Sequence, residues 1–363
     1  MHISSVTVRR ENLVLTRPYT IAYKTVSTVE NVVVIIEAES GSKRLYGVGT
    51  CNPSKPVVGE SLDDAYHLLS QPETTAWLIG RDVRTVQQLC YEVNTRLQTD
   101  TKSRAGSRAA LDIALHDLWA KWMDMPLVEV LGRKIHALPT SITIGIKGVQ
   151  ATLEEAQEYV DRRFSVLKVK TGASLEEDVE RITKLRERFG ASITIRVDSN
   201  QGYTAAQEQE FFERTRHLQI ELNEQPVKVA DTHELRLLPA ELRRTIAADE
   251  SLVSPQDAML LAAEPQPCGI FNIKLMKCGG IQKAKEIACI AENAGIELMW
   301  GCNDESIVSI AAALHAAFSS AATKYIDLDG SLDLASDVVR GGFIIENGIM
   351  RPNDAPGLGV ELL

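Results

Sequence analysis

Five stretches decide the reading: VLKVKTG (166–172), IRVDSNQG (195–202), IELNEQP (220–226), TIAADES (245–251) and FNIKLMKCGG (271–280). Each opens as an apolar, largely β-branched run and ends near an ionisable residue: Lys170, Asp198, Glu224, Asp249 and Lys274. These are spaced by 28, 26, 25 and 25 residues, and Asp327 in YIDLDG follows after 53, which is room for two units. A repeat of this length suits one strand, one crossover helix and their loops. The candidate strands are Ser141–Ile146, Val166–Lys170, Ile193–Asp198, Ile220–Glu224, Thr245–Asp249, Phe271–Leu275, Glu297–Gly301 and Tyr325–Asp329. Amphipathic stretches such as Leu175–Phe189 and Ile281–Ala294 lie between them. Eight such units predict an α/β fold, a (β/α)₈ barrel. A doubly wound open sheet is the rival. It uses fewer strands and often a glycine-rich phosphate turn, and no GxGxxG or GxxxxGK[ST] occurs.

The region before Pro139 reads differently. Residues 3–10, 13–22 and 31–37 predict antiparallel strands, with Arg44–Val48 after a turn at Gly41 and Ser42. Residues 61–97 turn helical. A long helix follows, with Ala109, Leu111, Ala114, Leu115, Leu118 and Trp122 on a repeating apolar spacing and Pro126 at its end. This is an α+β unit.

The composition of the whole 363-residue chain bounds the function. Its apolar content of 44% excludes a disordered or collagenous chain. Net charge is −10 from 39 basic and 49 acidic side chains, and with no Lys/Arg-rich tract a nucleic-acid partner is not expected. Apolar runs such as Val32–Ile36 fall far short of the ~20 residues of a membrane span. The N-terminus lacks the apolar core of a secretory signal. Six cysteines without CxxC pairing read as free thiols, so a reducing cytoplasm is expected. His116, within the long helix, reads as packing.

The chemistry sits at the strand ends, where barrel active sites form. If their strands are neighbours, Asp198, Glu224 and Asp249 converge, and three carboxylates repel unless a cation sits among them. An all-oxygen set suits Mg²⁺. One such acid alone could be a helix N-cap; three in register are poorly explained that way. Lys168 and Lys170 are two apart, so they share a strand face and point into the mouth. Lys274 lies across the barrel, so two lysines could move a proton at one carbon from opposite sides. A lysine near pKa ~10.4 needs help to act as a base, which a neighbouring ammonium and a metal ion supply. Lys184 and Lys277 read as surface lysines. Asp327 and Asp329, alternating on the eighth strand, would suit a substrate ammonium group.

These motifs together resemble the enolase superfamily, muconate-lactonizing subgroup. The stretch ALDIALHDLWAK (110–121), the stretch MPLVEVLG (125–132) and the terminal PGLGV are similar too, so the resemblance spans nearly the whole chain. The IDLD stretch resembles the dipeptide epimerases, where such a pair holds the α-ammonium. The resemblance implies a capping domain over residues 1–125, completed by 334–363, and a catalytic barrel over 126–333. It implies Mg²⁺ on Asp198, Glu224 and Asp249, Lys170 and Lys274 as base and acid, and Lys168 tuning Lys170. The implied reaction is a 1,1-proton transfer through an enediolate that inverts the α-carbon of a dipeptide's C-terminal residue. It leaves open whether the chain forms a homo-oligomer.

The chain departs from the family pattern at two places, and the second bears on the substrate. Ser199 replaces a more usual Ala, which is harmless. In WGCNDES (300–306), Asn303 and Asp304 stand where relatives carry apolar residues, and that loop lines the substrate pocket in the family. An acid there favours a cationic, Lys- or Arg-containing dipeptide. Lys24 argues the other way, since it aligns with a basic residue that binds Glu in Ala-Glu epimerases. Lys24 thus keeps L-Ala-D/L-Glu epimerisation as the nearest alternative; N-acylamino-acid racemisation, o-succinylbenzoate synthesis, muconate cycloisomerisation and a non-catalytic Mg²⁺- or peptide-binding protein on the same scaffold are the others.

Overall fold

The computed structural model describes residues 1–21, 24–99 and 103–363, with the backbone alone at 18–21 and 24–26. An antiparallel sheet of β1 (His2–Ile21), β2 (Lys24–Ser40) and β3 (Lys43–Cys51) opens the chain. The two strands expected at 3–10 and 13–22 are one. Glu11 and Asn12, without a glycine or proline to turn the chain, keep pairing with Asn31 and Glu30. The helical region after Ser61 breaks into Leu62–Leu69 and Val86–Leu97, with short turns between them beginning at Pro72. The long helix Ala105–Trp122 lies directly on β3. Gly47 and Gly49 permit this: a Cβ on either would fall about 2 Å from the carbonyl oxygens of Ala114 and Ala110, at 2.1 and 1.9 Å.

After a two-residue strand, β4 (Leu138–Pro139), come β5 (Ile142–Ile144), β6 (Val166–Lys170), β7 (Thr194–Asp198), β8 (Ile220–Glu224), β9 (Ile246–Ala248), β10 (Ile270–Ile273), β11 (Glu297–Gly301) and β12 (Thr323–Asp327). These last eight pair in chain order, and every pair is parallel. Thr140 bridges Ile326, and the Ser141 N–H donates to Ile326 O at 3.2 Å, so the last strand meets the first and the sheet closes. β6, β8 and β11 have the bounds the sequence predicts. The ninth and tenth strands stop early, leaving Asp249 and Lys274 one residue beyond the ladder. The expectation that Asp327 and Asp329 both lie on the eighth strand is corrected: β12 ends at Asp327. Asp329 belongs to the turn that follows, where its carbonyl accepts from Leu332 N.

The chain ends in β13 (Val339–Gly341), β14 (Phe343–Glu346), β15 (Ile349–Pro352) and β16 (Val360–Leu362); β15 pairs with β14 and β4, and β13 with β16. This segment returns to the first third of the chain. Ala335 N donates to Val14 O at 2.7 Å, and buried Asp117 accepts from Leu358 N at 2.8 Å and Val48 N at 2.9 Å. No described helix is long and apolar enough to cross a membrane.

Candidate active site

Strand alternation builds the site. Leu167, Val169, Ile195 and Val197 join the cluster beneath the outer helices, so Lys168, Lys170, Arg196 and Asp198 face the barrel axis. Below the acids the interior is sealed by Leu222, Ala247, Ile270 and Met299, with Tyr325 packed against them. The Arg196 guanidinium lies 5.2 Å from the Tyr325 ring centre and donates to Ile326 O at 2.8 Å and Glu221 Oε2 at 2.6 Å.

Above this floor the three acids of β7, β8 and the end of β9 converge, as the sequence predicts. In each, one oxygen is held from outside the cluster. Asp198 Oδ1 accepts Asn200 N at 3.0 Å, Glu224 Oε1 accepts Asn272 Nδ2 at 2.8 Å, and Asp249 Oδ1 accepts Lys277 Nζ. The other oxygens meet the lysines. Lys168 Nζ lies 3.0 Å from Asp198 Oδ2 and 2.8 Å from Glu224 Oε2. It also donates to Asp327 Oδ2 at 2.7 Å. Lys170 Nζ donates to Asp198 Oδ2 at 2.6 Å and Asn200 Oδ1 at 2.8 Å. Lys274 Nζ donates to Asp249 Oδ2 at 2.8 Å. Gly301 on β11 makes room for it, since a Cβ there would lie 3.0 Å from Lys274 Cε.

Exposure separates the lysines: the Lys168 side chain is 4% exposed, Lys274 12% and Lys170 29%. Lys168 is sealed under the cluster, whereas Lys170 and Lys274 reach the mouth from β6 and from the end of β10. Burial opposes the charge on Lys168 and Lys274. The neighbouring carboxylates more than offset it and raise both above the ordinary lysine value. For Lys274 a lowering does not arise from the side chains alone, because Asp249 and Glu224 hold its proton.

The acids divide as well. Burial and repulsion from Asp198 push Glu224 up to about 8, while burial of Asp198 and Asp249 is outweighed by the lysines, which hold both low. Glu224 Oε2 is buried and accepts no hydrogen bond, although Lys168 Nζ is at ion-pair distance; the approach lacks hydrogen-bond alignment. A buried carboxylate oxygen aimed into an all-oxygen cluster without a directed partner fits a hard dication. The residues present therefore fit Mg²⁺.

Asp327 is buried and already committed, to Lys168 and to Ser141 Oγ at 2.6 Å. Half-buried Asp329 takes Thr143 N–H at 2.8 Å on Oδ2, and burial together with the Asp327 charge pushes it up to about 7. The Asn303 side chain donates to Asn52 O at the end of β3, so it ties the loop after β11 to the N-terminal sheet. Asp304 is half-buried in the same loop beside Glu305. The Lys24 side chain lies outside the described residues. His116 is buried, with Nδ1 at 2.8 Å from Asp112 O, as a packing residue should be.

Sequence reasoning missed four residues. Asn272, Ser141 and Thr143 are polar positions on inward faces, visible from the alternation around Lys274 and the first barrel strand. Lys277 is the misreading: it is buried, not on the surface. Three residues after Lys274 in a tight turn, it folds back onto Asp249, which strand periodicity does not reveal. The six cysteines are free, as expected.

A barrel with acids on three successive strands and facing lysines defines a class. Residues 151–363 match the enolase C-terminal domain-like model, and residues 3–132 match the N-terminal domain model of mandelate racemase / muconate lactonizing enzyme. The chain belongs to this family of the enolase superfamily. Among its relatives, the L-Lys-D/L-Arg epimerase of Desulforapulum autotrophicum is 54% identical over 99% of both chains. The enzyme of that name from Methylococcus capsulatus is 50% identical, again over 99% of both. The crystal structure of the dipeptide epimerase from Methylococcus capsulatus, complexed with Mg and L-Arg-D-Lys, superposes with a TM-score of 0.94 at 49% identity, covering 99% of each chain.

Proposed function

We propose that this chain is a Mg²⁺-dependent isomerase that epimerises dipeptides carrying Lys or Arg, inverting the α-carbon of the C-terminal residue. The observation that carries the reading is the pair Lys170 and Lys274, which reach one mouth from opposite sides of the acid cluster. Binding a ligand needs no opposed bases; moving a proton on and off one carbon does. The relatives named for Lys and Arg dipeptides support the substrate class. In this reading Asp198, Glu224 and Asp249 hold Mg²⁺. The metal supplies positive charge beside the substrate carboxylate, which stabilises the carbanion-like charge formed when the α-proton leaves. Lys170 and Lys274 take the proton from one face and return it on the other. Lys168 stays buried and positively charged, holding Asp198, Glu224 and Asp327 in place. Asp329, with Asp327 behind it, takes the substrate α-ammonium, and Asp304 takes the cationic side chain.

The reading divides the chain into a cap of residues 1–125 with 334–363 and a barrel of 126–333; the Val14–Ala335 and Asp117–Leu358 bonds support that return. It places the enzyme in the cytoplasm and leaves a homo-oligomer open. The test is incubation with L-Arg-L-Lys and Mg²⁺, followed by chiral separation. Formation of the L,D product, abolished by EDTA and restored by Mg²⁺, is the expected result. Turnover of N-acylamino acids with none of any dipeptide would overturn the reading.

A further inference from the structure

Lys277 has no part in that chemistry, yet its ammonium is among the most firmly held on the chain. Its residue is 5% exposed. Nζ donates to Asp249 Oδ1, to Asp249 O at 2.5 Å and to Asn272 O at 3.2 Å. A lysine has three donor protons, and all three are placed. The acceptors lie at the ends of two adjacent strands, β9 and β10, and one is the side chain of a proposed metal ligand.

Metal binding does not explain it. A fixed cation beside Asp249 repels a dication held by the same carboxylate, so for metal affinity a neutral donor would serve better. The Asn272 amide already does this for Glu224, and the Asn200 N–H for Asp198. What Lys277 does hold is the turn that carries Lys274. Lys277 N donates to Lys274 O at 3.0 Å, and Leu275–Cys278 is one helical turn whose first flanking residue is Lys274, with no side-chain cap. Beyond Gly279 and Gly280 the next helix is fixed by Asp112, which accepts Ile281 N at 2.6 Å. The turn is thus held at its far end by the long cap helix, in its middle by buried Met276, whose Sδ accepts Asn52 N at 3.4 Å, and on the barrel side by the Lys277 ammonium.

We propose that Lys277 is a positioning residue for Lys274: by bolting the turn to β9 and β10 it aims the Lys274 ammonium at one face of the substrate carbon. The inference rests on the epimerase reading, because it needs two faces served by two lysines. It makes an asymmetric forecast. A lost metal ligand harms both proton transfers, whereas a misaimed Lys274 harms one. A misplacement of about 1 Å costs about a hundredfold in rate.

The experiment compares the full-length wild type with Lys277→Met and Lys277→Gln. α-Proton wash-out into D₂O is followed separately from L-Arg-L-Lys and L-Arg-D-Lys, and Mg²⁺ affinity is measured by calorimetry without substrate. The expected result is a loss of about a hundredfold from one epimer and less than about tenfold from the other, with Mg²⁺ binding as tight as wild type or tighter. The Gln variant keeps a neutral donor and should lie between, which preserves the comparison if Met impairs folding. Equal losses from both epimers, or Mg²⁺ binding weakened more than tenfold, would overturn the proposal and assign Lys277 to Asp249. No wash-out by the wild type would refute the epimerase reading instead.

Discussion

Replacing Asp329 by Asn tests how the substrate amino group is held. The carboxylate is fixed on one side by Thr143 N–H at 2.8 Å, and an Asn oxygen can accept the same bond, so the turn after β12 should survive. What disappears is negative charge. A charge-assisted contact to an ammonium is worth ~1.5–3 kcal/mol. At 1.36 kcal/mol per tenfold, the loss is about ten- to a hundredfold in kcat/KM. The ammonium bears the same charge before and during proton transfer, so the loss should fall mostly on KM. The raised pKa of about 7 adds a second mark. Asp329 gains its charge as pH rises through that value, so wild-type kcat/KM should climb more steeply there than that of the Asn variant. The assay is initial-rate epimerisation of L-Arg-L-Lys from pH 6 to 9. A kcat/KM within threefold of wild type, or a loss confined to kcat, would refute the assignment.

Three further outcomes follow from the same geometry. Asp304→Ala should lower kcat/KM for Lys and Arg dipeptides about tenfold relative to Ala-containing ones, and an unchanged ratio removes Asp304 from the pocket. Glu208 is buried against Asn223 Nδ2 at 2.6 Å, and burial pushes it up to about 8. The unfolded chain ionises it first, so its contribution is lost as pH rises from about 4.5 to 8. Urea midpoints of the wild type should therefore fall across that range more than those of Glu208→Gln, and parallel curves would contradict this. Asp117→Ala strands the N–H groups of Val48 and Leu358 and unpairs Lys121, which sits at 2.8 Å. It should cost ~3–5 kcal/mol in urea unfolding, and a loss below ~1 kcal/mol would mean the C-terminal return is held otherwise.

The barrel was legible because its chemistry punctuates it. Lys170, Asp198, Glu224, Asp249 and Lys274 recur at the length of a βα unit, and each ends or follows a strand in the structure. Periodicity reads what alternates, so it puts Lys168 and Lys170 on one face, and both meet Asp198 in the barrel. It does not read where a chain leaves the ladder. Alternation extends the last strand to Asp329, although it ends at Asp327, and leaves Lys277 on the surface, although it is buried, because both lie in turns whose course is set by tertiary contacts. The continuous strand His2–Ile21 escapes the apolar pattern too, because polar Glu11 and Asn12 interrupt it yet pair with Asn31 and Glu30. The direction of the lysine shifts was also out of reach, since it depends on which carboxylate each ammonium meets.

The most direct measurement is α-proton exchange in D₂O with Mg²⁺ across a mass-coded library of L,L-dipeptides. A one-dalton gain confined to dipeptides containing Lys or Arg, lost when one of Lys170 and Lys274 is replaced by Met and retained when the other is, is the result this account predicts. A gain on Ala-Glu alone would keep the reaction and overturn the cationic pocket. No gain on any dipeptide would contradict the central claim.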